Sequence, residues 1–253
     1  MGANESRGSG VISDSVSVGE GTKFGHFVVI GANVSIGSNC IIGHHVIIHD
    51  DTIIEDHVSI DDHAVLGKKP YRAAMSTLPE RHHLNGCHVA MWSHIGTGAI
   101  LYKGCALGQK VFVADLATVR ENVTIGERTI IGRGVAIESD SKIGARCKIE
   151  TNAYITACST IEDDCFIAPC VATSNDDALG RGEAGQSSYK GVVLKRGGRI
   201  GVHATILPGR IIDEDAIVAA GAVLTCNTQP RKVYIGVPAR ETRKVSEKEL
   251  LKK

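Results

Sequence analysis

Tyr102, Arg120, Glu138 and Thr156 recur at intervals of 18 residues, and Tyr154 stands two positions before the last of them. A carboxylate, a guanidinium and two phenols brought together would make a pocket. In it an acid can accept a hydrogen bond or a proton, and a cation can pair with an anionic group. The same spacing would also suit an Arg120–Glu138 ion pair that merely braces the structure, so both accounts stay open on spacing alone. Asp115 and Glu121 flank the set in the polar run VADLATVREN. These residues meet only if the chain retraces its path every 18 positions.

The rest of the sequence says that it does. Aliphatic residues or Phe occupy every sixth position from 12 to 66 and again from 89 to 167, then Ile200, Ile206, Ile212, Val218 and Leu224. A period of six is neither the two of a strand nor the 3.6 of a helix. It fits a unit of one short strand and one turn, with the aliphatic side chain inward and a small or acidic residue easing the turn. Three such hexads close a triangular coil of 18 residues, stacked on the next at about 4.8 Å. The expected fold is therefore all-β: a parallel β-helix, in effect a prism with three flat sheets, of nearly ten coils.

That geometry makes columns comparable. The position after the inward aliphatic reads Gly108, Gly126, Gly144, Glu162 on one face and Gly96, Ala114, Gly132, Glu150, Ala168 on a second. On the third it reads Tyr102, Arg120, Glu138, Thr156, the one column without small residues. The repeat breaks twice, between Leu66 and Val89 and between Ile167 and Ile200. Residues 1–245 are expected to form one β-helical domain with loops over 68–88 and 173–197. Lys68, Lys69 and Arg72 give the first loop basic charge, while Asn175, Asp176 and Asp177 lie in the second. Long loops on a rigid scaffold commonly carry function. A short C-terminal helix is expected over 246–253, with Ser246 as N-cap and Glu249 closing a capping box.

Composition narrows the classes. Lys+Arg and Asp+Glu number 28 each, so nothing suggests nucleic acid or an acidic membrane as partner. No stretch has the apolar length of a membrane span, and no signal peptide opens the chain. Met1–Ser6 fits a loose myristoylation pattern, without the basic cluster or second lipid site that stable anchoring needs. The eight cysteines contain no CxxC pair and mostly lie in aliphatic runs, which predicts reduced thiols and a cytoplasmic location.

In its hexads and in the segments LGKKPYRAAMS, VADLATVREN, IESDSKIG, ATSNDD, VLKRGGRIGVHATILPG and VYIGVPAR, the chain resembles the hexapeptide-repeat acyltransferases. It is most similar to those acting on dTDP-amino-dideoxyhexoses, and the likeness covers nearly all of residues 10–245. The resemblance implies left-handed coils and a cytoplasmic homotrimer with active sites between neighbours. It also implies transfer of an acyl group, such as acetyl, from coenzyme A to the amine of a nucleotide-linked amino-deoxysugar. Coenzyme A would lie near Lys195, Arg196 and Gly201, with the lead-out residues Lys232, Pro238 and Arg240 completing the cofactor set. The sugar nucleotide would be held by Lys68, Tyr71 and Arg72 of the first loop and by Tyr102, Arg120, Glu121 and Tyr154.

Attack on a thioester needs a neutral amine, so the implied site requires an acceptor that orients it. Glu138 is the first choice, with Asp115 and Asn175 as the others; departing thiolate is an alternative final proton acceptor. The Asn-His-Pro segment of the hexapeptide O-acetyltransferases is missing, which disfavours a sugar or antibiotic O-acyltransferase. A non-catalytic scaffold would have monotonous columns. The three-histidine metal site of γ-type carbonic anhydrases is also disfavoured, because Ile47 stands two coils before His83 where that arrangement needs histidine. No metal is expected.

Overall fold

The computed structural model describes residues 10–75, 83–181 and 189–252. Each hexad forms a short strand, usually of two residues, and the second residue points into the prism. Strands one coil apart pair in parallel register, as Val29 with Ile47 and Thr118 with Ala136. Three sheets of 11, 10 and 12 strands result, consistent with the left-handed β-helix expected from the sequence. The inward residues, Ile30 to Leu224, stack into one continuous aliphatic core. Each fully buried Leu, Ile or Val contributes roughly 1.5–3 kcal/mol.

The corners explain much of the polar composition. A left-handed residue turns the chain at successive corners, including Asn33 (φ 57°), His45 (φ 55°), Asp51 (φ 64°) and His63 (φ 60°). Asn, Asp and His tolerate this conformation better than branched residues do. Several histidines are therefore corner residues, and His45 and His63 stack with ring centroids 4.9 Å apart. A second corner device is an aspartate that accepts the backbone N–H 18 residues earlier. Asp50 serves Ala32 at 2.8 Å, Asp62 serves His44 at 2.6 Å and Asp163 serves Ala145 at 2.8 Å.

The loop boundaries need correction. The first insertion is entered by a strand that continues to Lys68 and is left by the strand His88–Val89. The second is shorter than 173–197, because Val193–Leu194 is a strand paired with Thr160–Ile161 and Ile211–Ile212. The aliphatic hexads stop at Ile167 because the next inward position is Thr173. This threonine is buried with its hydroxyl satisfied, accepting from the Thr156 N–H at 2.8 Å and donating to the Tyr154 carbonyl at 3.1 Å. Residues 1–9, which include the myristoylation-like start, and His82 lie outside the described residues.

The C-terminal helix is also corrected to a single 3-10 turn, Glu247–Glu249. The Ser246–Glu249 capping box does form. The chain then extends, and the Leu251 N–H donates to Asp215 Oδ1 at 3.2 Å, tying the segment to the prism. Unforeseen was an antiparallel hairpin, Lys232–Ile235 with Arg240–Lys244, which adds the last two strands of the third sheet. It covers the backbone edge that Ile217–Val218 would otherwise expose. Among the described residues, no helix is long and apolar enough to cross a membrane.

Candidate active site

Register builds the site. Ile100–Tyr102, Thr118–Val119, Ala136–Ile137 and Tyr154–Ile155 are successive strands of the first sheet. Tyr102, Arg120, Glu138 and Thr156 therefore line up along the prism, as the 18-residue interval requires. The extended strand Val65–Lys68 pairs Lys68 with Tyr102, and Lys68 Nζ lies 5.2 Å from the Tyr102 ring centroid.

 The two are direct neighbours across the first insertion.

Arg120 is the hub of the column. Its Nε donates to Glu121 Oε2 at 2.9 Å and its Nη2 to Glu121 Oε1 at 3.2 Å, while Nη1 meets Glu138 Oε2 at 3.4 Å. Its guanidinium carbon sits 4.8 Å from the Tyr102 ring centroid, a cation–π contact. Burial disfavours the guanidinium charge, but the hydrogen bonds and charge of Glu121, with Glu138 and Tyr102, hold its pKa above the ordinary value. Glu138 behaves oppositely to an ordinary ion-paired acid. Burial pushes its pKa up, Arg120 pulls it down and the Glu121 charge pushes it up again, so the net shift is upward. Tyr154 is raised as well, by burial and then by the Glu138 charge. A partly buried carboxylate of raised pKa beside a fixed cation can accept a proton from a bound nucleophile.

The other candidate residues fall elsewhere. Glu121 is 3% exposed and both its oxygens are taken by Arg120, so it stands behind the column rather than at its surface. Asp115 is a corner brace of the kind described above, with its Oδ1 accepting the Thr97 N–H at 3.0 Å. The Asn175 carbonyl accepts the Lys190 N–H at 3.1 Å, closing the base of the second insertion. Tyr71 and Arg72 are exposed in the first insertion.

Of the C-terminal set, Lys195, Arg196 and Gly201 lie outside the first sheet. Lys195 Nζ pairs with Glu162 Oε1 at 3.0 Å, and Arg196 Nε with Asp164 Oδ2 at 3.1 Å, at the corner between the second and third sheets. Gly201 follows a strand of the third sheet, where a Cβ would come within 2.5 Å of the Ala220 backbone nitrogen. Lys232 pairs with Glu241 across the hairpin, Pro238 follows a cis peptide bond, and Arg240 Nη1 donates to the Ala239 carbonyl at 3.0 Å. Arg199, not singled out from the sequence, is in the strand that precedes Gly201. Its Nε and Nη2 are buried without a hydrogen-bond partner among the described residues. No group of three His, Cys, Asp or Glu that could hold a metal ion occurs among the described residues.

Fold and repeats define the chain as a hexapeptide-repeat β-helix, and residues 15–50 match the family model described as bacterial transferase hexapeptide (six repeats). Among solved structures, the chain is similar to perosamine N-acetyltransferase from Caulobacter crescentus in complex with CoA and GDP-perosamine. For a mutant of that enzyme, the identity is 28% over 53% of this chain and 56% of that one, with a TM-score of 0.46. This chain thus spans little more than half the length of that enzyme. It is also similar to the UDP-N-acetylglucosamine O-acyltransferase of Moraxella catarrhalis RH4, at 16% identity over 95% of this chain and 74% of that one, TM-score 0.46. A maltose O-acetyltransferase from Clostridium difficile 630 is 21% identical over 49% of this chain and 70% of that one, TM-score 0.41. None of the curated proteins compared matches the chain.

Proposed function

We propose that this protein is a CoA-dependent N-acyltransferase acting on the amine of a nucleotide-linked amino-deoxysugar. The observation that carries the reading is the Tyr102–Arg120–Glu138–Tyr154 column, in which one partly buried carboxylate faces outward with a raised pKa. The amine nitrogen attacks the thioester carbonyl, a C–N bond forms, the C–S bond breaks and CoA leaves as the thiolate. Glu138 accepts a hydrogen bond from the amine, aims its lone pair and takes the proton released on attack. A thiol-release assay over a panel of dTDP-amino sugars and acyl-CoAs tests this. Turnover with an amino sugar and none with the corresponding hydroxyl sugar supports it, and the reverse overturns it.

The reading includes a homotrimer located in the cytoplasm. Glu138 is on the first sheet, whereas Lys195, Arg196 and Gly201 are on other faces, so a neighbouring chain would bring the CoA residues to the acid. Sedimentation is expected to give three times 26.8 kDa, and a stable active monomer would exclude this assembly of the site.

The first insertion serves the sugar nucleotide. Arg72 pairs with the diphosphate, Lys68 stands beside Tyr102, and the exposed Tyr71 packs on the base. Arg72→Ala is expected to raise the KM for the sugar nucleotide roughly tenfold or more, the scale of a lost charged hydrogen bond, with the KM for acyl-CoA unchanged. Equal changes in both constants would show that the insertion only supports folding.

A further inference from the structure

The geometry points to Glu121 as a positioning residue: buried behind the column, it clamps Arg120 by a two-point fork so that only the Nη1 edge is presented to Glu138. The inference rests on the proposed role of Glu138. A planar guanidinium held at Nε and Nη2 cannot rotate, and the Tyr102 ring 4.8 Å from its carbon fixes the plane. Its contact with Glu138, at 3.4 Å, is the longest of the three.

The arrangement has an electrostatic purpose as well as a steric one. An arginine paired with Glu138 alone would hold that carboxylate strongly ionised and make it a poor base. Glu121 offsets the cation from the far side, so Glu138 is held in place while keeping its affinity for a proton. The other groups in the column are Lys68 and Tyr102 on one side of Arg120 and Tyr154 beside Glu138. Lys68 reaches the Tyr102 ring and Tyr154 feels the Glu138 charge, whereas Glu121 alone makes the fork to Arg120.

The test is a carboxyl-carbon NMR titration of Glu138 in the full chain, assigned by difference from E138Q, together with the pH profile of kcat. In E121Q the Glu138 midpoint and the acid limb of kcat are both expected to move down by about one pH unit, the scale of one nearby charge. The KM for either substrate should hold. In E121D the charge stays but the shorter side chain draws Arg120 away from Glu138, and the midpoint should rise. A midpoint unchanged in folded E121Q, or in E121D should E121Q not fold, overturns the inference. A midpoint that moves as expected while E138Q keeps full activity leaves the positioning role standing and removes the proposed catalytic one.

Discussion

Glu138→Gln is expected to lower kcat by roughly 10²–10⁴-fold, the usual scale for losing an acid–base group, with the assembly intact. The glutamine keeps an oxygen that can orient the amine but cannot take its proton at neutral pH. If thiolate is the final acceptor and Glu138 only orients, Gln loses less and Glu138→Ala loses more. Near-normal kcat/KM in the Ala variant would exclude Glu138 from the site. The pH profile provides a second check. Glu138 must be ionised to accept a proton, and its pKa is raised, first by burial. The wild-type rate should therefore fall as pH drops through a midpoint above the ordinary glutamate value, and Glu138→Gln should abolish that limb. A limb at the ordinary value would place the essential base elsewhere.

Ile137→Ala is expected to cost about 2–5 kcal/mol, the range for truncating a large aliphatic side chain in a packed core. Ile137 is 0% exposed and stacks between Val119 and Ile155, next to Glu138 in the chain. At about 2–4 °C per kcal/mol for a chain of this size, thermal unfolding should shift clearly downward. Ile41 is the control, since it occupies the outward position of its strand and is 58% exposed. Ile41→Ala should stay within about 0.5 kcal/mol of the parent in the isolated chain. Equal losses at both positions, measured by denaturant unfolding, would contradict the inward and outward assignment.

The column was legible because a single interval fixes it. Once 18 residues make a coil, Tyr102, Arg120 and Glu138 must align, and backbone pairing enforces it. The burial of Glu121 was not legible because it sits at the start of a corner, where spacing does not say whether a side chain turns outward or folds behind its neighbour. The end of the second insertion was misplaced because Thr173 replaces the aliphatic signal while still satisfying its hydroxyl inside the prism. The hairpin was invisible to a six-residue count, since its strands obey antiparallel pairing instead. Glu138 lies on the first sheet, whereas Lys195, Arg196 and Gly201 lie outside it.

The in-register pairing also makes the chain a length gauge. Ile47 pairs with Val65 one coil on, yet Val65 pairs with Ile100 across the first insertion without losing the inward alignment. Insertions at such corners escape the count, while anything within a coil must respect it. Excising a whole coil from the N-terminal half should leave every later column aligned and yield a shorter prism, whereas removing a single hexad would rotate all that follows by one face. Length changes in this architecture are therefore quantised: evolution can vary reach along the prism axis in steps of one coil and tune chemistry independently at the corners.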